Sequence, residues 1–357
     1  MRIAFYAPLK PPDHPTPSGD RRVARLYMAA LRAAGHEVFV ASEFRSYQPN
    51  GDDSSIIEQG FRASNLCLHM QADLWFSYHV YYKAPDLLGP ALSKTLRIPY
   101  VIAEASHAPK RAGGPWQHAH KVAWAAIRAA DLVLCPTRLD MACVTQARED
   151  RPAPVYFPPF LDCAPYAGVP RDRAAWRLPS DKKWLLAVGM MRPGDKVDSY
   201  RQLGQALALL PGDDWLLAVV GDGPARAEVQ AALGRPDRVH CLGVLEPEAL
   251  ARLYAAADLC VWPGVGEAYG MALLEAQAAG LPVVAGRQRG VPDVVSEAGG
   301  RLVPPDDPAA MAAAIRALLD DDAGRAALAA SAARVTRAER DLPAAAARLD
   351  ALLRELA

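Results

Sequence analysis

Short apolar runs alternate with amphipathic stretches along most of the chain. The run at 3–7 is Ile-Ala-Phe-Tyr-Ala. A loop rich in Pro and Gly follows, then a helical pattern from about 22 to 34, closed by Gly35, then a second run at 38–41. Strand, loop, helix, glycine, strand is a βαβ unit. Further runs lie at 74–77, 100–103 and 132–135. They are apolar throughout rather than alternating, as expected of strands covered by helices on both faces. Between 151 and 183 the pattern breaks: Pro152, Pro154, Pro158, Pro159, Pro165, Pro170 and Pro179 crowd a stretch with few periodic apolar positions. That stretch is expected to connect two domains. The alternation then restarts with runs at 184–188, 215–220, 239–242, 259–262 and 282–285, and Ala-rich helices close the chain from about Pro308. Two consecutive parallel α/β domains are predicted.

The length of 357 residues fits two or three domains. Hydrophobic residues at 51% and charged residues at 22% are ordinary for a folded soluble chain. Forty basic and forty acidic side chains cancel, which argues against a nucleic-acid partner. No stretch reaches the ~20 apolar residues of a membrane span, and the first apolar run is too short for a signal-peptide core. Cys67, Cys135, Cys143, Cys163, Cys241 and Cys260 form no Cys-x-x-Cys pair and lie mostly among apolar residues. Buried thiols in a reducing, cytoplasmic compartment are expected. The scattered histidines 14, 69, 79, 118, 120 and 240 form no metal-ligand grouping, and Asp306-Asp307 and Asp320-Asp321-Asp322 are expected to cap helices.

Two glycine loops are candidates for phosphate binding. Gly19, in Pro17-Ser18-Gly19-Asp20-Arg21-Arg22, precedes a helix. It would either let backbone N–H groups approach an anion, or simply form a turn capped by Ser18 or Asp20. Gly221-Asp222-Gly223-Pro224 follows a strand but lacks the third glycine of a dinucleotide fingerprint. The most informative segment runs from Trp262 to Val284: strand, glycine-rich loop, helix, Gly280, strand. It carries Glu267 and Glu275. If the segment between them is mostly helical, they stand about 12 Å apart, too far for the carboxylate pair of a glycosidase. The spacing suits two anchors on one ligand. Glu275 lies among apolar neighbours, and a buried carboxylate is costly unless a ligand or partner holds it.

Glu267-x7-Glu275 with the following Ala-x-Gly-x-Pro-Val-Val resembles the signature of the retaining glycosyltransferases of family four, glycosyltransferase group 1, which have the GT-B fold. The glycine loop at Gly19, Gly35-His36-Glu37-Val38, His107, Ala129-Ala130-Asp131-Leu132-Val133 with Thr137, Gly221-Asp222-Gly223-Pro224, Leu253-Tyr254 with Ala257-Asp258, and Gly290-Val291-Pro292-Asp293 match further blocks in order. The resemblance implies two Rossmann-like domains with an interdomain cleft: an acceptor domain at 1–165, a nucleotide-sugar donor domain at 166–335, and a C-terminal helix at 336–357 packing back on the first domain. It implies transfer of a sugar, with retention, from a nucleoside diphosphate sugar to a glycan, lipid or small-molecule acceptor. The UDP- or GDP-sugar is a substrate; no cofactor and no metal are implied.

By the same resemblance Glu275 receives the ribose hydroxyls and Glu267 those of the transferred sugar. Backbone N–H groups near Tyr269, Gly270 and Met271 face the sugar or diphosphate, His107 lies near the sugar, and Gly19 approaches the diphosphate. The chain departs from the pattern at the diphosphate-binding cations. An Arg is usual directly after Gly189 and a Lys six residues after it; Met190 and Asp195 stand there. Arg192 and Lys196 are the candidates to replace them through a one-residue shift, the alternative being two solvated surface cations. The mechanism implied is front-face attack, with the departing diphosphate oxygen taking the acceptor proton. Covalent catalysis by Glu267 is a lesser reading. A nucleotide-sugar epimerase of the same fold and a catalytically impaired nucleotide-sugar-binding relative are the alternatives. For the acceptor, Trp75, Tyr78, Tyr81, Tyr82 and Trp116 either stack on sugars or fill the core, and Lys110, Arg111 and Trp116 are candidates for peripheral contact with an anionic lipid surface.

Overall fold

The computed structural model describes residues 1–16 and 18–356; Pro17 of the first glycine loop lies outside them. Two compact units divide the chain. The first comprises Met1–Pro158 and Leu342–Ala357, the second Pro159–Asp341.

The first unit runs β1 (Arg2–Tyr6), α1 (Gly19–Ala33), β2 (Glu37–Ser42), α2 (Ser54–Cys67), β3 (Leu74–Val80) and α3 (Gly89–Leu96). It continues with β4 (Tyr100–Ala105), α4 (Gln117–Ala129), β5 (Leu132–Cys135), α5 (Arg138–Ala147) and the short β6 (Val155–Tyr156). Its six strands are all parallel, in the order β2-β1-β3-β4-β5-β6. The second unit runs β7 (Lys183–Val188), α6 (Asp195–Leu209), β8 (Trp215–Val220), α7 (Arg226–Leu233), β9 (Val239–Gly243) and α8 (Pro247–Ala256). Then come β10 (Leu259–Trp262), α9 (Met271–Ala278), β11 (Val283–Gly286), β12 (Gly300–Val303), α10 (Pro308–Asp320) and α11 (Asp322–Glu339). This sheet is also parallel, in the order β12-β11-β10-β7-β8-β9. The last helix, α12 (Leu342–Arg354), belongs to the first unit and packs against α1.

Every residue of β4, β5, β8, β10 and β11 is buried, because helices cover both faces of each sheet. Burying whole strands leaves polar groups to be matched, and two carboxylates under the sheets do much of this. In the first unit Asp86 accepts from the N–H groups of Leu88 and Gly89, at 2.9 and 2.8 Å, and so caps α3. It also accepts from Ser77 and from the Tyr100 hydroxyl, the latter at 2.7 Å. Trp75 and Tyr78 are enclosed in this core, so they fill space rather than stack on a sugar.

In the second unit Asp258 plays the corresponding part. It accepts from Arg171 at 2.5 Å, from Arg173, and from the Trp184 N–H at 2.6 Å. Both arginines lie in the proline-rich stretch expected to be a connection. From Pro159 onward that stretch is part of the second unit, strapped across it by this clamp and by the Trp184 indole donating to the Pro179 carbonyl. The chain changes unit at 158/159 and 341/342, where 165/166 and 335/336 were expected. The reason is local: the Leu161 N–H donates to the Arg340 carbonyl at 2.9 Å and the Cys163 N–H to Asp341 Oδ1 at 2.9 Å, which ties both crossings into the second unit.

The clamp makes a prediction. Asp258→Ala leaves the Trp184 N–H without its acceptor, and Arg173, which keeps its bonds to the Ala256 and Lys182 carbonyls, without its counter-charge. It should destabilise the second unit by about 3 kcal/mol, as breaking a buried ion pair does. Urea unfolding of the full chain measures this, and an unchanged midpoint would contradict it.

Candidate functional site

The order of the second sheet decides where chemistry can gather. From β7 the chain proceeds outward through β8 to β9, then returns to the other side of β7 with β10 and proceeds through β11 to β12. The loops after β7 and β10 therefore leave the sheet side by side, in opposite directions. Such a switch point at the carboxyl ends of parallel strands is where open α/β sheets hold ligands.

The loop after β7 carries Gly189, Met190 and Arg192 and leads into α6, whose second residue is Lys196. The loop after β10 carries Pro263–Gly270 and leads into α9. Across the switch point Lys196 Nζ donates to Glu267 Oε2 at 2.5 Å. The Trp262 indole N–H donates to the same oxygen at 3.2 Å, and the ammonium lies 5.2 Å from the centre of the Trp262 ring. The indole is itself fixed by Tyr200, which packs edge-on at 5.0 Å and donates its hydroxyl to the Gly189 carbonyl at 2.7 Å. Lys196 and Glu267 are 23% and 18% exposed, so their attraction is partly screened and the pair contributes geometry more than stability.

The two loops are also joined through backbone. Ser199 Oγ donates to the Asp195 carbonyl and accepts from the Val265 N–H, both at 2.9 Å. Gly266 has φ +63°, and a Cβ there would stand 2.0 Å from Asp195 Oδ2, so only glycine lets the loops approach this closely. Asp195, where a cation was expected, lies in the first turn of α6, where a negative charge complements the helix dipole. Lys196, one position further on, is the residue that reaches the carboxylate. Arg192 is exposed and makes no hydrogen bond or ion pair with the described residues.

Glu267 and Glu275 do not lie on one helix. Gly270 adopts a left-handed conformation (φ +84°) and α9 begins only at Met271, so Glu267 sits on the loop and Glu275 on the helix. The 12 Å of a continuous helix therefore does not apply. The first N–H groups of α9 have no acceptor within the helix and are oriented as in an anion site. Tyr269 is buried beside them. Glu275 is 3% exposed and has the partner its burial demands: Tyr254 donates its hydroxyl to Oε2 at 3.1 Å. Burial first, and the charge of Glu275 second, push the Tyr254 hydroxyl well above its usual pKa, so it stays protonated and remains a donor. Trp262, Ser199, Tyr200 and Tyr254 were not among the residues predicted for the site.

In the first unit, Gly19 opens α1, with the Ser18 hydroxyl accepting from the Arg21 N–H at 3.2 Å as N-cap. A Cβ at Gly19 would meet nothing within 4 Å, so packing does not demand a glycine there. His107 follows β4 and is half-buried, its ring 5.1 Å from that of His120. Burial, and then His120, hold its pKa below the usual value, so it is neutral at physiological pH. Among the described residues no group of three or more His, Cys, Asp and Glu side chains is arranged to hold a metal ion, and no helix is long and apolar enough to cross a membrane.

Residues 182–321, which contain the whole switch-point site, match the family model described as "Glycosyl transferases group 1". A D-inositol 3-phosphate glycosyltransferase of Kineococcus radiotolerans is 36% identical over 203 residues, 50% of this chain and 47% of that protein. The chain thus spans about half the length of the curated relatives it matches. Sucrose-phosphate synthase from Thermosynechococcus elongatus has the same fold, with a TM-score of 0.76 at 23% identity over 100% of this chain and 99% of that one. HepE of Anabaena, solved in complex with UDP-glucose, has a TM-score of 0.74 at 19% identity, covering 100% of both chains. The chain has the GT-B fold, and residues 182–321 of its second unit are similar to the glycosyl transferases group 1 family.

Proposed function

We propose that the protein transfers a sugar from a nucleoside diphosphate sugar to an acceptor hydroxyl, with retention of configuration and without a metal. The observation that carries this reading is the Lys196–Glu267 pair, held over Trp262 at the switch point beside the amino end of α9. It brings a cation, a carboxylate and free backbone donors together. A sugar diphosphate needs all three: a carboxylate for its hydroxyls, and positive groups for the charge that develops as the diphosphate departs.

In this reading Glu267 receives hydroxyls of the transferred sugar. Lys196 and the N–H groups at Gly270 and Met271, with Arg192, hold the diphosphate. Glu275, oriented by Tyr254, receives the ribose hydroxyls. Removal from water strengthens hydrogen bonds to such a carboxylate. The bond from the anomeric carbon to the diphosphate oxygen breaks as the acceptor oxygen attacks from the same face, and the released oxygen takes the acceptor's proton. HepE is solved with UDP-glucose, which makes UDP-sugars the first donors to test beside GDP-sugars. The curated relatives act on D-inositol 3-phosphate by name, so a polyol or its phosphate leads the acceptor panel.

The two glutamates should separate by experiment. Glu275→Gln should weaken binding of the free nucleoside diphosphate by about 1.5–3 kcal/mol, since it removes a charged hydrogen-bond acceptor. Glu267→Gln should leave that affinity almost unchanged and lower the rate of nucleoside diphosphate release from the best donor of the panel. Calorimetry beside single-turnover rates reads both; if the two variants exchange these behaviours, the roles are wrongly assigned.

Lys196→Ala should fold normally and lower turnover by about 10²–10³-fold, the worth of one contact to the leaving group. Retention of near wild-type turnover, with unchanged thermal stability, would mean that another group holds the diphosphate.

A further inference from the structure

Three loops of the first unit meet at the carboxyl ends of its strands, the end at which parallel sheets hold ligands. They follow β2, β3 and β4, and Gln48, 5% exposed, ties them together. Its N–H donates to the Lys83 carbonyl at 2.7 Å, and its carbonyl accepts from the Trp116 indole at 3.0 Å. Its Oε1 accepts from the Asp53 N–H at 2.8 Å, and the Asp52 N–H closes the frame on the Pro115 carbonyl at 2.5 Å.

This frame holds an aromatic corner. The Tyr82 and Trp116 rings stand edge to face, 5.7 Å apart at 82°. The Arg111 guanidinium lies 5.3 Å from the centre of the Tyr82 ring and 5.0 Å from that of Trp116. The Lys83 ammonium lies 5.3 Å from the centre of the same indole. An aromatic face attracts a cation but does not accept its N–H groups as an oxygen does. Arg111 Nε is buried without a hydrogen-bond partner. Neither the Arg111 nor the Lys83 side chain forms a hydrogen bond or ion pair with the described residues. The carboxylates of the frame are committed elsewhere: Asp52 accepts from the His118 and Ala119 N–H groups at the head of α4, and Asp53 from the Ser55 N–H at the head of α2. Other enclosed arginines are treated differently. Arg148 donates to the carbonyls of Ile127, Ala130 and Pro152, and Arg173 pairs with Asp258. Arg111 has a rigid seat and no acceptor. One ring further along, Tyr81 packs edge-on against Tyr82 at 5.5 Å. Burial first, and Tyr47 second, hold its hydroxyl well above the usual pKa, so it stays protonated and can donate.

We propose that this corner is an anion site of the first unit, and that its ligand is the phosphate monoester of a sugar or polyol. A guanidinium fork takes phosphate oxygens two at a time, and Lys83 adds a second point charge. Together they match the two negative charges that a monoester carries above its second pKa of about 6. A hydroxylated carrier suits the Tyr81 hydroxyl. That this ligand is the acceptor rests on the transfer proposed above; the binding itself does not.

The test is calorimetric binding of glucose 6-phosphate and of glucose to the full chain at pH 7.5, for wild type, Lys83→Gln, Arg111→Lys and Arg111→Met. Glucose 6-phosphate should bind at least about tenfold more tightly than glucose, and Arg111→Met should remove that margin. Arg111→Lys, which keeps the charge and loses the fork, should restore only part of it, and Lys83→Gln should lose about threefold. Arg111→Met removes an unpaired charge, so its unfolding temperature should stay within about 2 °C of wild type. Glucose 6-phosphate that binds no better than glucose overturns the proposal. So does a fall of more than about 5 °C in Arg111→Met with the affinity unchanged, the result of a merely structural arginine. Cosedimentation with phosphatidylglycerol vesicles gives the other arm: capture that Arg111→Met abolishes, without binding of glucose 6-phosphate, would make the corner a membrane contact and overturn the proposal. Glucose 6-phosphate that binds through Arg111 to a chain that binds no nucleoside diphosphate would uphold the site and sink the donor reading; nucleotide binding without it would do the reverse.

Discussion

The parallel pairing of β7 with β10 is the constraint on which the candidate site depends. Leu259 and Cys260 lie opposite Leu185 and Leu186, which makes these two strands neighbours although the paired residues are 74 positions apart in the chain. Helix α6 must then leave to one side and α9 to the other, and the loops before them meet. Lys196 and Glu267 come together because of that topology, not because either sequence segment contains a pair. Trp262 sharpens the meeting. It ends β10, donates to the carboxylate and lies under the ammonium, while Tyr200 and the Gly189 carbonyl keep its ring in place. A partly screened ion pair has little stability of its own to give. Its value lies in being held open to one side by parts whose positions the sheet has already set.

The first unit repeats the constraint with β1 and β3, and there too the charged groups collect at the carboxyl ends of the strands. The division of labour is the same in both units. The carboxylates under the sheets, Asp86 and Asp258, are spent on backbone N–H groups, hydroxyls and arginines, and hold helices and connections in place. The carboxylates near the strand ends, Glu267 and Glu104, are instead held by side chains, Glu267 by Lys196 and Trp262 and Glu104 by Tyr78 and His79 among others.

What could be read from the sequence follows from how each feature is encoded. Strands covered on both faces are continuous apolar runs, so β5, β8 and β10 were legible to the residue. Helix α2 was not: only Gly60 and Cys67 of it are buried, and Phe61 and Leu66 stand in solvent, so no apolar stripe marks it. Strand β12 was missed because Gly300 and Arg301 interrupt its apolar run. Glu267 and Glu275 were found through family spacing, and the burial of Glu275 through its apolar neighbours. Trp262 and Ser199 were not, because an indole at the end of an apolar strand and a serine inside a helix both look like packing. Tyr254 appeared only as part of a family block, with nothing in its surroundings to show that it would hold Glu275. His79 looked like scatter for a related reason: Asp20 lies 59 residues from it in the chain, and only the sheet brings them together.

The central claim is that the nucleotide is held by the two loops that meet at the switch point of the second unit. Hydrogen–deuterium exchange of the full chain with and without saturating nucleoside diphosphate tests it most directly. The account predicts slowed exchange concentrated in residues 189–196 and 263–275, with the amides at the head of α9 protected most. Demonstrable nucleotide binding that leaves both segments exchanging as in the free protein would contradict it.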